Sequence, residues 1–232
     1  MKTLIIIPAY NEGKCIKKVV DNLMEVNKNV DVLVVNDGSK DDTLIEAKKT
    51  KARVLDLPFN LGIGGAVQAG YIYANKNNYD IAIQLDGDGQ HNPKYIEEMV
   101  KIIEESKAEM VIGSRFITKT GYNQTFARML GIRVIRGIMK LFAGKKIFDP
   151  TSGYRAVNKR IIKKFSENYP YDYPEPDTNM RLLKEKVEII EIPVEMNNRE
   201  TGKSSITPLK SVYYMIKVTL AMLICVIEKR KG

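Results

Sequence analysis

The chain contains no tryptophan, a single histidine and only two cysteines. Zinc sites draw closely spaced ligands from cysteine and histidine, and Cys15 and Cys225 lie too far apart in sequence to form such a pair. A disulfide framework is excluded on the same ground, and a reducing cytoplasm is the expected setting. Linkers rich in proline, glycine or serine are lacking, as are internal repeats, so no composition shift marks an internal boundary. Apolar runs are short. Leu4-Ile5-Ile6-Ile7 stops at Pro8, well before the length of a signal-peptide core, and reads as a strand. Ser211–Ile227 is interrupted by Lys217 and falls below the roughly 20 residues needed to cross a bilayer. A dinucleotide fingerprint is also incomplete: Gly62 and Gly64 are spaced for it, but Val67 stands where the third glycine belongs.

What is present is the composition of a globular protein with a substantial core, 44% hydrophobic and 28% charged. The formal charge of +9 is unevenly placed. Between Arg128 and Lys164 eleven basic residues face one acid, Asp149, which leaves the rest of the chain near neutral. Such a segment favours an anionic partner. Nucleic acid is the poorest candidate, because regular aromatic interleaving and recognised binding motifs are lacking. A phosphorylated substrate and an acidic membrane surface remain.

Strand and helix patterns alternate through the first half. Thr3–Ile7, Val30–Val35, Val54–Leu57, Ile81–Leu85 and Met110–Gly113 read as strands, and Val187–Ile192 as a later one. Between the first two, Ile16, Val19, Val20, Leu23 and Met24 form the stripe of an amphipathic helix. The expected fold class is therefore α/β, with a mostly parallel central sheet flanked by helices. The second half is less regular. Phe126–Phe142 reads as a basic amphipathic stretch, Tyr169–Asp177 as a loop over a site, and Asn198–Ser205 as a polar loop. Ser211–Ile227 has two readings: packing against the domain or a second copy, or contact with a membrane surface.

Polar residues fall just after the strands. Tyr10 and Glu12 follow the first, Asp37 the second, Asp86 and Asp88 the fourth, and Arg115 the fifth. In open parallel sheets such positions converge on one edge, where ligands bind. Asp86 and Asp88 are alternate residues of an extended segment, so both can face one cation. Mg²⁺ is commonly held by one or two carboxylates together with substrate phosphates. His91 follows this group and is expected to support its loop, not to act as a base.

Seven motifs stand in order: Pro8-Ala9-Tyr10-Asn11-Glu12, Asn36-Asp37-Gly38-Ser39, Asn60-x-Gly62-x-Gly64, Asp86-Gly87-Asp88-Gly89-Gln90, Gly113-Ser114-Arg115, Ser152-Gly153-Tyr154-Arg155 and Arg199-x-x-Gly202-x-Ser204. Together they resemble the family 2 inverting glycosyltransferases of the GT-A fold, nearest to the dolichol- or polyprenyl-phosphate hexosyltransferases, from Leu4 to about Ser205. The resemblance implies a catalytic domain over residues 1–207 of the nucleotide-diphospho-sugar transferase type. An amphipathic C-terminal helix over 208–232 would follow it.

The roles implied are specific. Pro8, Ala9, Tyr10 and Glu12 would line the base and ribose pocket, and Asp37 would hydrogen-bond the base. Asp86 and Asp88, on either side of Gly87, would hold Mg²⁺ or Mn²⁺ on the donor diphosphate, with Gln90 close by. Arg199 would close over the phosphates. Arg115 and Arg128 would receive an acceptor phosphate, while Asp149, Glu175 and Asp177 are candidate bases for a hydroxyl acceptor. Asn36 departs from the family pattern, which often has a second aspartate there. The implied reaction moves a hexose from a UDP- or GDP-linked donor to a polyprenyl or dolichol phosphate, with inversion. Transfer to a sugar hydroxyl of a polysaccharide or glycolipid is the enzymatic alternative, and a sugar-nucleotide-binding protein the non-enzymatic one. The expected location is cytoplasmic, peripheral at the inner membrane face.

Overall fold

The computed structural model describes residues 1–117, 126–172, 174–197, 217–222 and 224–225. In chain order the elements are β1 (Thr3–Ala9), α1 (Ile16–Val26), β2 (Asp31–Asn36), α2 (Thr43–Lys48), β3 (Arg53–Asp56), α3 (Gly62–Lys76), β4 (Ile81–Gln84), α4 (Ile96–Glu104), β5 (Met110–Ser114), α5 (Phe126–Ala143), β6 (Arg155–Asn158), α6 (Lys159–Glu167), α7 (Pro174–Lys184) and β7 (Ile189–Pro193). The strands form one seven-stranded sheet in the order β3-β2-β1-β4-β6-β5-β7. All pairings are parallel except those of β6, which runs against both β4 and β5.

Side chains alternate across a strand, and the core follows that rule. Leu4 and Ile6 of β1, with Leu33 and Val35 of β2, join an apolar cluster supplied by α3, α5, α6 and α7. Ile5 and Ile7, with Val32 and Val34, join a second cluster supplied by α1, α2 and α4. The sheet is thus covered on both faces, which is why its central strands read as continuous apolar runs. Burying each of these isoleucines contributes about 1.5–3 kcal/mol. Val218, Met222 and Cys225 pack into the first cluster, so this part of the C-terminal stretch has an inward apolar face.

Two parts of the second half differ from expectation. The Tyr169–Asp177 segment is not loop throughout, because α7 begins inside it at Pro174. Proline suits the first helical turn, and Glu175 and Asp177 there favour the positive end of the helix dipole. Strand β6 and helix α6 carried no clear sequence signal: β6 is four residues long and begins with a charged side chain. Asn158 starts α6 by accepting from the Ile161 amide at 3.1 Å. No helix among the described residues is long and apolar enough to cross a membrane.

Of the Gly62-x-Gly64 pair only Gly64 serves close backbone approach; Gly62 takes a left-handed conformation (φ 77°) with open space around it. The Gly64 amide donates to the Tyr171 carbonyl at 3.2 Å. A Cβ on Gly64 would lie 2.2 Å from the Pro170 oxygen and 2.3 Å from the Tyr171 oxygen. Since both obstacles are backbone, Gly64→Ala is expected to lose about 1–3 kcal/mol of stability, measured as a lower urea midpoint at unchanged m-value.

Candidate active site

Register explains how distant motifs meet. Ala9 lies opposite Asn36 and Ile6 opposite Gln84, so β1, β2 and β4 end side by side. Because β6 is antiparallel, its first residue, Arg155, lies opposite Gln84. The Ser152-Gly153-Tyr154 turn that precedes β6 therefore reaches the edge where the parallel strands finish. Arg115 follows β5 onto the same edge.

On the β1–β2 side the loops brace one another. Asn11 adopts a left-handed conformation (φ 56°). Its amide donates to Ser39 Oγ at 3.0 Å, and its side-chain oxygen accepts from the Lys40 amide at 2.9 Å. Asp41 accepts from the Gly13 and Thr43 amides, each at 3.0 Å, tying the start of α2 to the β1–α1 loop. Pro8 and Ala9 are buried inside β1, whereas Tyr10 is exposed and Glu12 half-buried. Glu12 accepts from the Cys15 thiol at 3.2 Å, and the same thiol reaches the Gly87 carbonyl at 3.3 Å. Asn36 donates to Asp56 Oδ1 at 2.7 Å. An aspartate at that position would face a like charge, which accounts for the departure from the family pattern. Asp37 is buried and accepts from the Leu61 amide at 2.6 Å. Burial raises its pKa, and the Leu61 and Gly62 amides oppose the rise.

Asp86 and Asp88 lie on a shaped loop. The Asp86 amide donates to His91 Nδ1 at 3.0 Å, and Asp88 Oδ1 accepts from the Gln90 amide at 3.1 Å. His91 stacks on Tyr154 with ring centroids 4.8 Å apart, and burial lowers its pKa to about 4. It is a neutral imidazole holding the loop at neutral pH, as expected from its position. Asn197 donates from its backbone to the Gln90 carbonyl at 2.8 Å and from its side chain to the Gly89 carbonyl at 3.2 Å. A side chain on Gly153 would come 3.2 Å from Asp86 Oδ1, so this glycine leaves the carboxylate room. No group of three or more potential metal-ligating His, Cys, Asp or Glu residues occurs among the described residues. Two carboxylates alone suit a hard cation whose other ligands are diphosphate oxygens and water.

The three base candidates separate sharply. Asp149 is fully buried in a forked ion pair with Arg115, at 2.6 Å from Nε and 2.8 Å from Nη2. Burial would raise its pKa, but the Arg115 hydrogen bond and charge more than offset this and hold it low. Asp177 pairs with Arg181 at 3.0 Å. Glu175 has its pKa raised by burial; the Arg155 charge opposes the rise, and the Asp86 charge adds to it. Glu175 is therefore the base candidate placed within electrostatic reach of Asp86. Arg115 and Arg136 both lie over the Phe116 ring, at 5.6 Å and 5.1 Å, and Arg136 donates to the Phe148 carbonyl. His91 feels the charges of Asp88, Arg115 and Asp149, so the two carboxylate regions adjoin. Arg128 lies on α5, and Arg199 lies outside the described residues.

Arg155 stands in one of the seven motifs but was given no role there, and Gln84 and Arg136 were given none either. Their neighbourhood depends on the antiparallel pairing of β6 and on the docking of α5, neither of which leaves a local pattern.

Residues 4–166 match the model of the glycosyl transferase family 2. The chain belongs to this family. Among relatives of this family 2 transferase, the UDP-N-acetylglucosamine–dolichyl-phosphate N-acetylglucosaminyltransferase of Methanococcus voltae is 34% identical, over 82% of this chain and 84% of that protein. The polyprenol monophosphomannose synthase of Mycolicibacterium smegmatis is 27% identical, over 94% of this chain and 85% of that protein. Glucosyl-3-phosphoglycerate synthase from Mycobacterium tuberculosis, solved with Mn²⁺, UDP and phosphoglyceric acid, gives a TM-score of 0.70 at 18% identity, covering 100% of this chain and 80% of that one. The last match shows a shared fold.

Among the described residues the Arg115–Asp149 pair is the most deeply buried ion pair, with side chains 8% and 0% exposed. Removing one partner leaves an uncompensated buried charge. Asp149→Asn is expected to cost about 3–5 kcal/mol at neutral pH, read from the urea midpoint. The lowered pKa of Asp149 means that the pair's stabilisation is present above pH 3.8 and fades as pH falls through the folded-state value below it, so the gap between wild type and variant should narrow there.

Proposed function

We propose that this transferase moves a hexose from a nucleoside-diphosphate sugar to a polyprenyl-type lipid phosphate, with inversion. The observation that carries this reading is the adjacency of a carboxylate-bearing strand edge to a helix whose outer face is both apolar and basic. On the donor side, Tyr10 and Glu12 face the nucleoside, and Asp86 and Asp88 hold Mg²⁺ or Mn²⁺ on the diphosphate, with Gln90 beside them. A bound divalent cation supplies Lewis-acid stabilisation of the leaving diphosphate. Asp37 shapes the pocket through the Leu61–Gly62 amides it binds, and Arg199 closes on the phosphates. Glu175 accepts from hydroxyl groups of the donor sugar. A phosphate acceptor is already ionised, so its oxygen attacks the anomeric carbon without a base; Arg128 and Arg136 give that phosphate its cationic surroundings, while Arg115 is held by Asp149.

The relatives named above support the acceptor class, and so does α5. Ile132, Ile135 and Met139 are buried, while Leu130, Val134, Leu141 and Phe142 are exposed. Leu220 and Ile224, on the helical segment packed into the same core cluster, are exposed as well. Four of the eleven basic residues between Arg128 and Lys164 are neutralised elsewhere: Lys145, Lys159, Arg160 and Lys164 pair with Glu188, Asp80, Glu109 and Glu185. Arg133, Lys140 and Lys146 remain exposed around the apolar face of α5 and its C-terminal end. An amphipathic face with basic residues fits an anionic bilayer, the place where a lipid phosphate is met.

One observation favours the hydroxyl-acceptor alternative: Glu175 combines a raised pKa with a place near Asp86, as a general base would. Product analysis separates the two readings. With UDP- or GDP-hexoses, Mg²⁺ or Mn²⁺, and polyprenyl phosphate in vesicles, the expected products are a nucleoside diphosphate and a glycosylated lipid phosphate. Release only with a saccharide acceptor would replace the lipid reading by the alternative. Asp88→Ala should stay folded and lose metal-dependent turnover by at least about a hundredfold.

Membrane docking is tested separately by sedimentation with phosphatidylcholine vesicles with and without phosphatidylglycerol. Binding should require the anionic lipid and weaken about tenfold or more in Leu141→Glu, since a leucine withdrawn from the bilayer forfeits about 1.5–3 kcal/mol. Equal binding of wild type and variant would remove α5 from the interface.

A further inference from the structure

Arg155 is the largest fully buried side chain among the described residues, and it is a cation. Its Nε donates to the Ser152 carbonyl at 2.9 Å, and its Nη1 donates to Thr178 Oγ1 at 2.8 Å. Nη2 is buried without a hydrogen-bond partner. Thr178 in turn donates to the Pro174 carbonyl at 2.7 Å. The guanidinium is thereby a bridge between the turn that leads into β6 and the first turn of α7, where Glu175 sits. An ammonium in this position could not make the two divergent bonds in one plane.

A guanidinium withdrawn from water without a carboxylate at hydrogen-bond distance is costly, so packing alone gives a poor account of it. Glu175 lies at longer range, within reach of its charge. Arg155 and Asp86 act on Glu175 with opposite sign, and both also act on Tyr169, whose hydroxyl lies 3.5 Å from Gln84 Oε1. Gln84 is the residue opposite Arg155 in the sheet and stands two places before Asp86. Arg155 is thus linked by bonds to the backbone under Glu175, and by strand pairing to the strand that carries Asp86.

We propose that Arg155 is a positioning residue of the transfer reaction: through Thr178 and Ser152 it fixes the first turn of α7 against the β4–β6 edge, and so sets Glu175 against the donor sugar beside Asp86. This rests on the function proposed above. It adds a requirement which family membership does not supply, that Arg155 acts through Glu175. Misplacing a reacting or sugar-holding group by about 1 Å can cost about a hundredfold in rate.

The test is a double-mutant cycle in the full chain: wild type, Arg155→Met, Glu175→Gln and the combination, with kcat and the Kd for nucleoside diphosphate plus Mn²⁺ measured for each. Arg155→Met should lower kcat about a hundredfold with Kd changed less than about threefold, and should add little once Glu175 is Gln, because the two act as a unit. Arg155→Lys should recover only part of the loss. Where Arg155→Met does not fold, Thr178→Val breaks the link to α7 alone and enters the same cycle. Independent, multiplicative losses, or a folded Arg155→Met of wild-type kcat, would overturn the assignment. Failure of the wild type to turn over any nucleotide sugar while binding nucleoside diphosphate would instead overturn the proposed reaction, and this role with it.

Discussion

The antiparallel insertion of β6 between β4 and β5 is the constraint on which the site depends. A strand entering from the opposite direction starts where its neighbours end. The Ser152–Tyr154 turn therefore meets the loop carrying Asp86 and Asp88, and Arg155 lies opposite Gln84. Tyr154 supports the imidazole that holds the Asp86 amide. Were β6 parallel, the same turn would emerge at the far edge. His91 would lose its stacking partner, and Arg155 could not reach α7.

Charge is handled differently in three zones. At the surface, four residues of the basic segment are spent on ion pairs with acids from other parts of the chain, contacts worth little individually. Within the core, Arg115 and Asp149 neutralise each other through a planar fork, which removes Asp149 from proton transfer. After β4, the Asp86 and Asp88 carboxylates are left half-exposed on a loop whose backbone is tied from both sides. That arrangement suits a cation that arrives with its substrate, since a rigid loop loses little freedom when the ion is bound.

Periodicity alone was enough for the layered α/β plan, because strands covered on both faces must be apolar at every position and their flanking helices must show a stripe. Thr3–Ala9 and Asp31–Asn36 announce themselves in this way, and the strand-end acids follow from chain direction. The order of the seven motifs carried the family, which the match over residues 4–166 establishes. Strand β6 was not legible, since four residues beginning with arginine show no usable alternation. Neither was the start of α7, whose prolines and acids suit a loop as well as a first helical turn.

The difference of Asp149 and Glu175 from one another lies in tertiary structure. With Asp177 they are acids beside prolines, and local pattern ranks the three equally. A carboxylate's chemistry is set by what surrounds it, and here the surroundings come from residues distant in the chain: Arg115 for Asp149, and Arg155 and Asp86 for Glu175. Asp177 is the exception, paired with Arg181 one helical turn on. Residue type and the family resemblance named the candidates. Burial and long-range pairing assigned their states, because desolvation and opposing charge act through space and leave no trace in the order of residues.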